Sequence, residues 1–331
     1  MPPFPSGEIS LARCTCAHRL PDHEATGTAV THAAVAATSA DITRQFIRAK
    51  RPCADGYRWY LRRQEGASNY QALLDDLVRE GRVDDACWML DQFGPTNDVL
   101  ELEHLEADAL VFAGSVRCAG SADVDGVLRT GRSLSVRGSL RVGGALTVGE
   151  DLRVSGAARC NGSVRLHGDA RIGGSLAAAQ RMQCAASLRV GGELTCAAAA
   201  HIAGHCAVRQ NLQVAGELDC AGGIKVGGHL HGGAAVQAAR GLQVAGDVDC
   251  GGHLQIGWGV RAEGHIRAAG AIRAGESLWA GGPIAAGETY GVYAGLAVPL
   301  PDWPTSARVR ATEQPARLLS GCWTGPEEEA P

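Results

Sequence analysis

Six basic residues recur at intervals that are multiples of eighteen, a pattern that could build an anion-binding surface. They are Arg117, Arg153, Arg171, Arg189, Lys225 and Arg261. If eighteen residues make one turn of a coiled chain, all six lie in one stripe on the same face. Such a stripe could steer an anionic partner such as a nucleic acid, a polyanionic glycan or an acidic protein face. Alternatively, these side chains only protect and solubilise a flat sheet, and their stems cover apolar surface.

Cysteine is the second residue type whose placement could indicate chemistry, because the chain has 12 of them. Six share one phase of a six-residue period, namely Cys118, Cys160, Cys184, Cys196, Cys220 and Cys250, and Cys206 lies two residues before that phase. All seven alternate with apolar residues. We interpret them as small core residues in a reducing compartment rather than as a disulfide framework. Cys14, Cys16 and His18 lie close together but lack the second ligand pair that makes a zinc site specific.

The histidines do not form an evident catalytic set. Most fall at repeat positions that should face outwards: His167, His201, His205, His229, His231, His253 and His265. His229 and His231 share one strand face and could coordinate a metal ion, but a third ligand is not apparent. No nucleophile elbow, phosphate loop or carboxylate pair stands out. We therefore predict no catalytic, cofactor-binding or metal-binding residues, and no cofactor.

A six-residue unit that repeats from Ala109 to Glu288 would position these side chains. It fills 180 residues with thirty copies and no insertion or deletion. Position 2 of the unit is apolar in every copy, position 4 is mostly Val, Cys, Ile or Ala, and Gly occupies position 5 or 6 in all but five copies. Apolar residues two apart face the same side of a strand, and we expect Gly to supply corner dihedrals that other residues resist. The pattern predicts an all-β solenoid, or β-helix, in which each rung contacts only its neighbours.

The number of units per rung decides which side chains meet. Three units give a triangular prism and two give a flatter tube; we favour three, because alternating large and small apolar rows fill a triangular core well. With three units, Cys184 and Cys196 lie on different faces, whereas with two they are direct neighbours. The basic stripe would also change with two units, to Arg117, Arg129, Arg141 and Arg153.

Two segments precede the repeat. Residues 1–40 have a Pro-rich start and no clear period, which predicts disorder. Residues 41–97 predict a module of four amphipathic helices with its own core. The expected helix starts are Asp41, Asp55, Ser68, and Asp84 or Asp85, and the expected stops are Gly81 and Gly94. Because no linker separates this module from the repeat, we expect it to cap the open edge of the first rung.

The predicted solenoid domain spans residues 98–296, and residues 297–331 follow as a C-terminal cap with an acidic tail at 327–329. Pro299, Pro301 and Pro304 should break a continuing strand ladder. Residues 307–310 and 317–319 could form short strands that cover the far end of the solenoid.

Three resemblances follow from the repeat. Its Gly-punctuated strands, such as residues 133–138 and 211–216, resemble those of the bactofilins, bacterial cytoskeletal β-helices that polymerise. The six-residue period is similar to the left-handed β-helix of hexapeptide acyltransferases, which implies a His at subunit contacts and an extruded loop. Gly-Trp-Gly-Val-Arg-Ala at 257–262 and the ending at 290–296 resemble uncharacterised bacterial and phage-associated proteins with a helical N-terminal module. That resemblance covers residues 41 to about 323 and implies no activity.

Composition limits the function classes. The net charge is −4, so the whole chain has no general attraction for nucleic acid. The start of the sequence predicts no secretory signal, and no apolar run predicts a membrane span, so we expect a cytoplasmic protein. The leading hypothesis is a non-enzymatic scaffold that contacts itself or another protein through its faces or ends, with self-assembly as in bactofilins. The alternatives are a binding module for an anionic surface and a hexapeptide-type transferase.

Overall fold

The computed structural model of the protein describes residues 44–62 and 69–325. The chain divides after Gly94 into a helical unit and a β-solenoid unit. The predictions for residues 1–40, for the helix starts at Asp41 and Ser68, and for the acidic tail lie outside the described residues.

The helical unit contains α1 (Arg44–Ala49), α2 (Ala54–Arg62), α3 (Tyr70–Arg79) and α4 (Val83–Phe93). Its predicted core is confirmed, because the aromatic side chains of α2 and α3 point inwards with the leucines. The buried residues of these helices are Trp59, Tyr60, Tyr70, Leu73, Leu74, Leu77, Ala86, Met89 and Leu90. Trp59, Tyr60 and Tyr70 therefore belong to a core, whereas Tyr57, Trp88 and Phe93 remain partly exposed.

The helix stops were predicted better than the starts. Gly81 and Gly94 follow α3 and α4 with φ of 70° and 80°, a backbone conformation that favours glycine. By contrast, Asp55 lies inside the first turn of α2, and Asp84 and Asp85 lie inside the first turn of α4. The expectation that they cap these helices is wrong. Carboxylates in the first turn of a helix also interact favourably with its dipole. In the sequence, an acidic residue in the first turn therefore looks the same as an acidic N-cap.

The solenoid unit consists of three parallel sheets that run along its length. Sheet 1 contains Val99–Leu102, Ser115–Cys118, Leu134–Val136, Leu152–Val154, Ala170–Ile172, Leu188–Val190, Cys206–Val208, Ile224–Val226, Leu242–Val244, Val260–Ala262, Leu278–Ala280, Arg308–Arg310 and Cys322–Trp323. Sheet 2 contains Leu105–Ala107, Ala122–Val124, Leu140–Val142, Ala158–Cys160, Leu176–Ala178, Leu194–Cys196, Leu212–Val214, Leu230–Gly232, Val248–Cys250, Ile266–Ala268 and Ile284–Ala285. Sheet 3 contains Leu110–Phe112, Leu128–Thr130, Leu146–Val148, Val164–Leu166, Met182–Cys184, Ala200–Ile202, Leu218–Cys220, Val236–Ala238, Leu254–Ile256, Ile272–Ala274, Val292–Tyr293 and Leu318–Ser320.

The strand order confirms three six-residue units per rung. Consecutive strands of a sheet pair eighteen residues apart, as Leu128 does with Leu146. The solenoid completes about 12 turns. Cys184 lies in sheet 3 and Cys196 in sheet 2, so these two cysteines occupy different faces, as predicted.

The two ends depart from the eighteen-residue step. In the first turn Val99 pairs with Ser115, which is sixteen residues later. After Val292–Tyr293 the chain leaves the sheets, forms a short 3₁₀ helix (Leu300–Asp302) and α5 (Trp303–Ser306), and rejoins sheet 1 at Arg308. The prolines lie in this excursion. The two predicted C-terminal strands are present at Arg308–Arg310 and Leu318–Ser320, where they extend sheets 1 and 3.

Positions 2 and 4 of the unit fill the solenoid interior, as the alternation predicted. Leu194 and Cys196 are both buried, whereas Thr195 between them faces outwards. The thiols of position-4 cysteines also donate hydrogen bonds to backbone carbonyl groups, which the sequence analysis did not predict. Cys160 donates to the carbonyl oxygen of Gly144 at 3.2 Å, and Cys220 donates to that of Gly204 at 3.1 Å. Burial raises the pKa of both thiols, so they remain protonated donors at neutral pH.

The expected reason for glycine at the corners is wrong. Positive φ occurs at five glycines of the described residues, and none of them lies in the six-residue repeat: Gly81, Gly94, Gly295, Gly321 and Gly325. The actual constraint is the close stacking of rungs. A Cβ added to Gly143 would overlap the carbonyl oxygen of Asp125, one turn earlier. Glycine at such a corner lets consecutive rungs approach to strand-pairing distance.

We predict that Gly143→Ala destabilises the solenoid by about 1–3 kcal/mol, because the added methyl group must push two rungs apart. Gly241→Ala is the matched control, since its Cβ would lie 3.4 Å from its nearest neighbour, the carbonyl oxygen of Gly259. Urea unfolding followed by circular dichroism measures both variants. Equal stability of the two variants would contradict the stacking explanation.

Candidate functional site

All six residues of the predicted basic stripe lie on the outer face of sheet 1, at position 3 of the repeat. Arg153 is in register with Arg171, and Arg171 with Arg189. Ala207 then separates Arg189 from Lys225. Since paired strands lie about 4.8 Å apart, the three arginines follow one another at that spacing and the lysine stands about two rungs further along. Arg117 and Arg261 lie beyond Ser135 and Gln243, nearer the two ends.

A shallow, largely open groove of about 820 Å³ follows the central part of this stripe. Its basic lining residues are Arg153, Arg171, Arg189, Arg209 and Lys225. Small residues from the adjacent corner line it as well, namely Ser155, Gly173, Gly191 and Gly227. The sequence analysis missed Arg209, which lies at position 5. The signal was available, because Arg209 belongs to one of the five units that lack Gly at positions 5 and 6.

The arginines towards the ends of the stripe already have acidic partners. Arg117 lies 2.9 Å from Glu101, Arg153 lies 2.8 Å from Asp151, and Arg261 lies 3.1 Å from Glu263. The guanidinium of Arg261 also lies 4.3 Å from the ring centroid of Trp279, a cation–π contact. These contacts leave the charges of the end residues partly neutralised.

The centre of the groove is different. Among the described residues, Arg189, Arg209 and Lys225 have no carboxylate within ion-pair distance, and all three are exposed. Arg171 has only a long contact of 4.0 Å with Asp169. The positive charge of sheet 1 is therefore concentrated around Ala207, where the stripe also lacks a long side chain.

The histidines at position 1 serve the solenoid backbone. Three of them, His205, His229 and His253, accept through Nδ1 the backbone N–H of the residue one turn later, and other polar side chains at position 1 do the same. Asn211 accepts from His229 at 3.0 Å, and Nδ1 of His253 accepts from Ala271 at 2.9 Å. In the His229 and His231 pair that was considered for metal, Nδ1 of His229 is occupied as the acceptor of the backbone N–H of Asp247. Within residues 44–62 and 69–325, no group of three or more His, Cys, Asp or Glu side chains could hold a metal ion.

Asp247 lies one turn after His229 and one turn before His265, in the same column of position-1 residues. Its Oδ1 accepts the backbone N–H of His265 at 2.9 Å, and its Oδ2 lies 3.1 Å from Nδ1 of His229. The ring of His265 contacts two acids: Nδ1 lies 2.8 Å from Oδ1 of Asp247, and Nε2 lies 3.1 Å from Oδ1 of Asp249. The backbone hydrogen bond from His265, assisted by the nearby imidazoles, holds the pKa of Asp247 below its ordinary value.

We predict that Asp247→Asn lowers stability at pH 7 and that its difference from the wild type shrinks as the pH falls below about 4. The pKa of Asp247 is lower in the native state than in the unfolded state. The stabilisation that its carboxylate adds to the free energy of unfolding is therefore complete above the unfolded-state pKa and is lost as the pH falls through the native pKa. Thermal unfolding across this pH range measures the effect. Glu217→Gln, an exposed acid on another column, controls for the loss of one charge. A stability difference that is constant with pH would contradict the prediction.

The C-terminal rung is a second exposed feature. Leu318–Ser320 is the last strand of sheet 3, and Cys322–Trp323 is the last strand of sheet 1. Leu318 and Trp323 pack on the core but remain only partly buried. Leu319 is 54% exposed and Leu300, in the preceding excursion, is 71% exposed. This end therefore combines strand edges with apolar side chains in contact with solvent.

One segment of the chain matches a known protein family. Residues 36–94 match the family model of the YdhT N-terminal domain. The match covers the helical unit and leaves the solenoid outside it. No curated protein and no solved structure matched the chain. In the part of the chain that the structure describes, no helix has the length and apolar character needed to cross a membrane.

Proposed function

We propose that the protein is a non-enzymatic scaffold that associates with a second copy of itself through its C-terminal rung. The observation that carries this proposal is the exposed end of the solenoid, where Leu318, Leu319 and Trp323 lie on terminal strands. Such strand edges are templates for further pairing unless charge or a covering segment protects them.

A second copy is the occupant that best fits this end. The terminal strands belong to two faces of a triangular solenoid, so a partner must offer strand edges at matching angles. Another copy offers the same edges. Contact between two identical surfaces is isologous and closes as a dimer rather than a filament. The resemblance to bactofilins also implies self-association, but bactofilins polymerise, whereas this contact stops at a dimer.

The regularity of the repeat also supports a scaffold. The eighteen-residue register runs from the pairing of Leu110 with Leu128 to that of Ile266 with Ile284 without an inserted loop. A hexapeptide-type transferase would use such a loop, so this observation does not favour the enzymatic alternative. The buried free thiols at position 4 fit a reducing compartment, and we propose a cytoplasmic location.

We predict that the protein is a dimer of twice its 34.3 kDa chain mass and that Leu319→Lys weakens the dimer at least about tenfold. Lysine on an edge strand disfavours pairing because its charge would be buried in the interface. Size-exclusion chromatography with light scattering over a concentration series measures the dimer.

Thr195→Lys is the matched control, because it adds the same charge to the outer face of a mid-solenoid strand. A wild-type protein that stays monomeric at high concentration would overturn the proposal. So would a Leu319→Lys variant that dimerises as well as the control.

A further inference from the structure

We propose that the groove on sheet 1 binds a linear acidic polysaccharide and that Arg189, Arg209 and Lys225 hold its carboxylate or sulfate groups. This inference concerns a different surface from the C-terminal rung and does not depend on self-association. It rests on the shape of the groove, on its unneutralised charge and on the chemistry of its lining.

The shape provides a place for an anionic group. Position 3 of sheet 1 carries a long basic side chain in three consecutive rungs, Arg153, Arg171 and Arg189, and then a single methyl group at Ala207. Lys225 follows on the next rung, so the backbones of the two basic residues that flank the gap, Arg189 and Lys225, lie about 9.6 Å apart, or two strand spacings. Arg209 lines the same groove from the adjacent corner. An anion above Ala207 would therefore face cations on three sides.

The charge in this gap is not used within the described protein. Arg153 forms an ion pair with Asp151, and Arg261 forms one with Glu263. Among the described residues, Arg189, Arg209 and Lys225 have no acidic partner of this kind. Like charges held at this spacing repel one another, and a bound anion relieves that repulsion. The chain as a whole carries a net charge of −4, so attraction for an anion must come from this local arrangement.

The lining favours a polysaccharide over a nucleic acid. Proteins that bind single-stranded nucleic acid combine cations with aromatic side chains on which the bases stack. The described residues that line this groove include no aromatic residue. They combine guanidinium groups with the hydroxyl of Ser155 and glycine backbone, and with the apolar residues Val154, Ile172, Val190 and Val208. Guanidinium forks bind carboxylates and tetrahedral oxyanions in a bidentate manner, so they suit the carboxylate or sulfate groups of a glycan as well as phosphate. The absence of a ring on which bases could stack is what favours the glycan.

The groove also runs along the solenoid, which suits a chain-like ligand. Its basic lining residues extend over five rungs, from Arg153 to Lys225. A linear polymer lying along it could place one anionic group above Ala207 and others beside Arg171 and Arg153. A small anion would use the central gap alone.

The test is fluorescence anisotropy with three labelled probes of matched charge: an oligogalacturonate, a sulfated dextran oligomer and a single-stranded oligonucleotide. We expect one of the two glycans to bind, with an affinity that falls as salt rises. The response to each glycan shows whether carboxylate or sulfate is preferred. Arg189→Glu and Lys225→Glu should each weaken binding about tenfold or more, since each removes a charge-assisted hydrogen bond.

Two further variants distinguish a specific groove from general charge. Arg165→Glu makes the same charge change on an exposed arginine of sheet 3 and should leave affinity unchanged. Ala207→Gln changes no charge but fills the gap, so it should weaken binding severalfold. Circular dichroism confirms that each variant is folded.

Three results would overturn the proposal. One is the absence of binding of either glycan at low salt. The second is an equal loss of affinity in Arg165→Glu and Arg189→Glu, which would indicate general electrostatic attraction. The third is tighter binding of the oligonucleotide than of both glycans, which would assign the groove to nucleic acid.

Discussion

Parallel main-chain hydrogen bonding at a fixed eighteen-residue step is the constraint on which the rest of this solenoid depends. Every rung donates and accepts along the axis, as where the backbone N–H of Leu152 donates to Asp169 and that of Ser155 donates to Val136. Because the step is constant, each position of the repeat becomes a straight column. The columns at position 2 place leucines in the core, and those at position 4 place cysteine thiols against corner carbonyls. The position-3 column of sheet 1 places arginines on one outer face.

Much of this architecture was predictable from the sequence. Leu at position 2 and Val or Cys at position 4 give an alternation that a strand can bury and a helix cannot. The triangular rung followed from the argument about filling the core, and it correctly placed Arg153, Arg171 and Arg189 together. Stacked repeats are favourable for such prediction, because one correct register fixes the neighbours of every residue in the array.

The remaining features could not be predicted because they depend on geometry between rungs. The corner glycines have ordinary dihedrals, and a side chain such as one at position 143 is excluded by the carbonyl of the rung before it. Arg209 is not at position 3, yet it borders the same groove as Lys225 because the corner turns it towards sheet 1. A basic residue of the stripe is neutralised only where an acid such as Asp151 contacts it, and the three-dimensional structure is needed to see which of these contacts form.

The central claim, that three units per rung align the basic stripe, is tested most directly by pulsed electron paramagnetic resonance. Spin labels are attached to cysteines introduced in place of Arg153 and Lys225. The seven native cysteines of the repeat are buried, and the five outside it are replaced by serine so that they take no label: Cys14, Cys16, Cys53, Cys87 and Cys322. These positions are four turns of eighteen residues apart, so the labels should be separated by about 19 Å along the axis. A separation of about 29 Å, which corresponds to six turns of twelve residues, would contradict the account.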